Sequence, residues 1–221
     1  MHQHQTTLRD RIISLLPYLA LFLLGCALIV ARVWATGKPD FLFLGWNLIL
    51  AAIPLAASSA LRGADRAGLS WRWMAPAALL WILFLPNAPY ILTDMIHLRE
   101  RAGVPMWYDL ILLLTCAAAG VAFTYRSLLD VETVMARRIG HARAIALSVA
   151  ALFLSGFGIY LGRFARLNSW DVVTEPVLVV RTIVEPVVDP LAHPRTWAVT
   201  MLFGMLLVIG YAMVRPRRSS S

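Results

Sequence analysis

Charge is scarce in this chain and cysteine scarcer. Of its 221 residues, 14% are charged and 60% are hydrophobic, with a mean hydropathy of +0.71. A water-soluble domain carries about a quarter charged residues, so an ordinary soluble fold is excluded and a bilayer is the solvent these residues suit. The two cysteines, Cys26 and Cys116, both lie inside apolar runs, which argues against a disulfide framework and against a thiolate metal site. Histidines and aspartates are too scattered to give a zinc spacing, so no metal is expected. There is no glycine loop to cradle a phosphate, no nucleophile with an adjacent base and no pair of intramembrane histidines. No cofactor is expected, and catalysis is permitted rather than indicated. The net charge of +8 comes from short basic clusters between apolar runs. That placement is the mark of membrane topology and anionic lipid head groups, and it argues against nucleic acid as a partner.

What the chain does have is long apolar runs, each close to the roughly 20 residues a membrane helix needs. They fall at about 12–33, 41–61, 71–96, 105–129, 144–161 and 197–214. The expectation is an all-α integral membrane helical bundle of about six transmembrane helices. A single transmembrane domain, 12–214, then lies between an N-terminal tail, 1–11, and a basic tail, 215–221. The first run follows Arg9 and Arg11 and passes through a Leu-Leu-Gly-Cys box like that of a lipoprotein leader, but it stays apolar beyond Cys26. It reads as a retained helix. Residues 130–143 are polar and basic and read as a loop. Residues 172–190 are too charged to span. Glu175-Pro176 and Glu185-Pro186 predict an interfacial helix that begins near Pro176 and is stopped by Pro186, with a short strand pair as the alternative for so valine-rich a segment.

The third run fails to stay apolar. It reads WILFLPNAPYILTDMIHL over 81–98. Proline removes a backbone donor and clashes one turn back, so Pro86 and Pro89 predict a broken third helix. In lipid such a break survives only where protein or water satisfies the freed carbonyls, which makes the segment a candidate pocket floor. If the spans alternate, basic residues outnumber on the side of the two termini, and the positive-inside rule makes that side cytoplasmic. Asn47, Asn87, Asp94, His97 and Asp109 then lie toward the outer leaflet, and Arg163, Arg166, Asn168 and Asp171 follow the fifth span on the same side. The inner half is expected to hold only ordinary basic loops, with His141 solvated. Charges in hydrocarbon persist when paired or wetted, so the outer set should converge.

Each candidate has a structural reading beside the functional one. Asn87 can be a turn residue whose amide caps exposed backbone, and Asp94 and His97 a local pair at a helix end or a proton-transfer pair. Arg163 and Arg166 can tie helix tips together or recognise a phosphate or carboxylate head group. Residues 168–171 can be an Asx turn followed by a helix cap.

Three stretches carry a resemblance: FLPNAPYILTDMIHL at 84–98, Trp107-Tyr108-Asp109 at the entry to the fourth span, and GRFARLNSWD at 162–171. With them the chain resembles, over about 44–211, a bacterial multi-pass membrane family catalogued as domain of unknown function 1361. The resemblance implies a six-helix protein of the bacterial cytoplasmic membrane and supplies no reaction. The residues themselves favour an outward-facing polar pocket that binds an anionic ligand, with membrane lipids as partners and a lipid head group as the leading occupant. Three rivals stay open: a membrane enzyme acting on a lipid or lipid-linked substrate, with His97 as general acid or base assisted by Asp94; a small transporter; and a structural membrane subunit.

Overall fold

The computed structural model describes residues 8–167 and 171–216. Helices account for nearly all of them: α1 (Leu8–Thr36), α2 (Leu42–Arg66), α3 (Trp71–Phe84), α4 (Asn87–Tyr90), α5 (Met106–Ile139), α6 (His141–Arg163), α7 (Asp171–Thr174), α8 (Pro176–Val188) and α9 (Pro194–Val214). A 3₁₀ segment, Ile91–His97, continues α4. Among the described residues six helical stretches are long and apolar enough to cross a membrane, α3, α4 and the 3₁₀ segment counting as one from Trp71 to His97. The protein is an all-helical, multi-pass membrane bundle.

The longest helix, α5, is the hub. It packs against α1, α2, α4, the 3₁₀ segment and α6, while α9 docks on α6. Helical periodicity decides which faces meet. Leu44, Leu48, Ala51, Ser58 and Leu61 are buried along one face of α2, and Leu112, Cys116, Ala119, Phe123 and Val134 are among those buried along α5. Two apolar clusters result. One surrounds Ile29, Leu48, Ile91 and Leu113, and the other surrounds Met74, Trp81, Leu128 and Leu152.

Ion pairs define the two ends. At one, the loop end, Arg32 of α1 meets Asp109 of α5, and Asp94 meets Arg163 of α6. At the other, the tail end, Arg62 of α2 meets Asp130, and Arg215, just past α9, meets Glu132.

Two sequence expectations change and one gains detail. Residues 130–139 are not loop: α5 runs on to Ile139, and its 34 residues would extend about 50 Å at 1.5 Å each, well beyond a hydrocarbon core of about 30 Å. Asp130 and Glu132 fall on its buried face, so the polar run turns inward as often as outward. Next, α8 does begin at Pro176 but passes through Pro186 to Val188. Pro186 is buried, and its carbonyl accepts a hydrogen bond from Trp197 Nε1 at 2.9 Å, which anchors that end of α8 to α9. No strand occurs among the described residues of 171–190. Finally, the third span is interrupted where its prolines predict: α3 ends at Phe84 and α4 starts at Asn87. Leu85 and Pro86 keep right-handed helical torsions, and the change is a tightening into 3₁₀ geometry.

Candidate functional site

The tightened segment is held by glycines. A Cβ on Gly120 of α5 would collide with the Ala88 carbonyl oxygen, and one on Gly158 of α6 would come within 2.5 Å of the Pro86 ring. Only bare backbone on α5 and α6 lets the segment wedge between them. This placement turns Asp94 inward, where it is 1% exposed.

Asp94 is met from two sides. Arg163 Nη2 donates to its Oδ1, and Asn47 Nδ2 donates to its Oδ2 at 2.9 Å. The same guanidinium donates from Nε to Thr93 Oγ1 at 2.8 Å, comes within 3.3 Å of His97 Nε2, and lies over the Tyr90 ring at 4.6 Å. Four of the residues expected at the pocket, Asn47, Asp94, His97 and Arg163, are therefore brought together, with α2, the 3₁₀ segment and α6 each contributing. Asp94 and His97 do not pair with one another alone; the Arg163 side chain bridges them. His97 also packs edge-on against Phe43, ring centroids 5.2 Å apart.

Asp109 belongs to a neighbouring network. Arg32 Nε and Nη2 donate to its two carboxylate oxygens at 2.6 and 3.1 Å, a bidentate pair in which Arg32 is 0% exposed. Asp40 lies 3.5 Å from Arg32 Nη1, and Arg101 lies 3.6 Å from Asp109. Phe41 sits beneath both guanidiniums, 4.7 Å from that of Arg32 and 4.5 Å from that of Arg101. Its φ of 64° is a costly conformation for a bulky residue, held here by near-complete burial. Arg101 also donates to the His97 carbonyl at 3.0 Å, joining the two networks.

The other expected residues fall around these. Asn87 donates to the Phe84 carbonyl at 3.3 Å, which is the backbone-capping role. Arg166 is exposed, with a left-handed φ of 58°. Asp171 opens α7, and Asn168 lies outside the described residues.

Sequence reasoning missed Arg32, Thr93, Tyr90 and Arg101. For Arg32 a signal existed: it lies inside the first apolar run, where a charge is as expensive as Asp94 in the third.

Beside the Asp94 pair opens a cavity of about 310 Å³. Trp46 and Asn47 of α2, Leu83 of α3, Asn87 of α4 and Leu161 of α6 help to line it, and Val179 and Ile183 of α8 close one side. Its walls are chiefly hydrocarbon, with the two asparagines and Tyr90 as polar points.

The tail end overturns the expectation of ordinary basic loops there. Arg62 and Arg126 both meet the buried Asp130. Asp65 takes Arg137 and Arg138 at 3.1 and 2.9 Å. Glu132 accepts from Tyr211 Oη at 2.8 Å and from Arg215 Nε at 2.9 Å, and the hydrogen bond to Glu132 holds the Arg215 guanidinium above its ordinary pKa. His141 is half-buried against Arg215, its Nε2 2.9 Å from Nη2, rather than solvated. Tail-end charges were misread because a basic residue beyond a span has the same sequence signature whether it faces water or a buried carboxylate.

A family model described as "Protein of unknown function (DUF1361)" matches residues 46–209. The chain belongs to this family. No curated protein and no solved structure matches it. The matched stretch of the DUF1361 chain contains both halves of the Asp94–Arg163 pair and Asn47, while Arg32 and Asp40 lie outside it.

Proposed function

We propose that this DUF1361 protein binds an anionic lipid, its acyl chain in the cavity between α2, α3, α6 and α8 and its head group at the loop end. The cavity carries this reading: hydrocarbon walls run up to two amides and a phenol, beside the part-buried Asp94–Arg163 ion pair. Ligand sites of this kind combine apolar surface with a few placed polar groups. Arg163 serves as the floor, because its donors already go to Asp94 and Thr93. The exposed Arg166, three residues on, offers a guanidinium to a phosphate.

Native mass spectrometry of the purified protein with its co-purifying lipids tests this. The wild type should retain an anionic phospholipid. Val179→Trp, which fills the cavity from α8, and Arg166→Ala should each lower occupancy while helical content is unchanged. A wild type that carries no lipid, or variants that carry the same lipids to the same extent, would overturn the reading.

A further inference from the structure

A second cavity, of about 360 Å³, lies at the tail end, remote from the lipid cleft. Glu132, Thr133 and Arg137 of α5, His141 of α6 and Arg215 after α9 line it. Its hydrogen-bonding groups do not balance. Glu132 is the only acid among the described residues of the lining, and its oxygens are taken by the Tyr211 hydroxyl and the Arg215 guanidinium. The Thr133 hydroxyl donates to the Leu129 carbonyl at 2.7 Å. Arg137 shares the single Asp65 carboxylate with Arg138, two positive charges on one negative.

His141 adds a donor by necessity. A guanidinium has no acceptor, so the 2.9 Å contact between Arg215 Nη2 and His141 Nε2 makes Nε2 the acceptor. The imidazole proton then sits on Nδ1, and Nδ1 is buried with no hydrogen-bond partner among the described residues. A buried donor left without an acceptor costs about 1–3 kcal/mol, so the site is short of an acceptor. Its basic side chains and imidazole reach the lining from three elements, α5, α6 and the segment after α9. That arrangement matches an oxyanion with three or more oxygens better than a planar carboxylate.

We propose that the tail-end cavity is a phosphate-binding site, held by Arg137, His141 and Arg215, for a phosphate group carried either by a lipid of the adjacent leaflet or by a soluble molecule. The Glu132 carboxylate fixes Arg215 in place rather than competing for the ligand.

Two probes separate the sources. Inorganic phosphate is titrated calorimetrically into detergent-solubilised protein, with chloride as the control. Nanodiscs of phosphatidylglycerol are compared with nanodiscs of phosphatidylcholine by native mass spectrometry. Saturable binding of inorganic phosphate identifies a soluble anion; because the loop-end cleft would also retain anionic phospholipid, phosphatidylglycerol identifies a head group at this site by the fraction of its retention that the Arg137→Ala, His141→Ala double variant loses. The Arg137→Ala, His141→Ala double variant leaves the Glu132–Arg215 pair intact and should weaken binding at this site at least tenfold. Lys38→Ala removes a cation at the loop end and should change it less than twofold. The proposal fails if neither probe exceeds its control, if the double variant binds as the wild type does, or if Lys38→Ala weakens binding as much.

Discussion

Arg32 and Asp109 are both essentially inaccessible to solvent, and two hydrogen bonds join them. Removing one partner of a buried pair strands the other charge, at a cost of about 3–5 kcal/mol, whereas removing both leaves no buried half of the pair and frees Asp40 and Arg101, which are less buried, to re-pair. Arg32→Met and Asp109→Leu should therefore each destabilise the detergent-solubilised protein by about that amount. The double variant should recover at least half of the loss, measured as the unfolding midpoint in a double-mutant cycle. Strict additivity would mean the two side chains do not act as a pair. Sequence made Asp94 conspicuous because a carboxylate in an apolar run has few ways to exist. Arg32 was less visible because arginines flank most membrane helices, and one that turns back into the bundle reads the same as one that reaches for head groups.

At the scale of elements, the bundle depends on two glycines facing a stretch that cannot be a regular helix. Gly120 contacts the Ala88 carbonyl so closely that any Cβ must displace α4, and with it Asp94. Gly120→Ala should lower stability by about 1–3 kcal/mol through overpacking. Gly45, in α2, has no atom within 4 Å of the built Cβ, so Gly45→Ala should be neutral or raise stability by up to about 1 kcal/mol from helix propensity. Thermal unfolding of both variants checks the contrast, and equal losses would show that the α4 contact is not tight. The segment itself was legible, since two prolines three residues apart constrain any helix. Its partner was not: one glycine in an alanine-rich run gives no sign of which element it faces. The end of α5 was hidden for a related reason. Residues 130–139 form a good helix with charges on it, and a hydropathy reading stops where the apolar run stops.

For the molecule as a whole, the alternation of spans follows from the ion pairs. Residues 32, 94, 109 and 163 lie at one end, and residues 62, 130, 132 and 215 at the other. This agrees with the even number of apolar runs read from the sequence. Which end faces the cytoplasm depends on charge rather than packing. Arg62, Arg66, Arg126, Arg137, Arg138 and Arg143 belong to the tail end, and the positive-inside rule counts such residues near the span ends while weighting longer connections less. Several of them are committed to Asp65 and Asp130, which lowers the net charge of that end. The rule is a bias in lysine and arginine, to which acids contribute little, so these pairs leave it in force. Ala102 is exposed at the loop end and Ala142 at the tail end. With Cys26 and Cys116 replaced by alanine, Ala102→Cys should react with a membrane-impermeant maleimide on intact spheroplasts, and Ala142→Cys only after permeabilisation. The reverse pattern would turn the bundle over, moving the cavity beside Asp94 to the cytoplasmic leaflet and the tail-end cavity to the outer face. Reaction of both on intact spheroplasts would break the alternation itself, because the ion pairs hold the two positions at opposite ends.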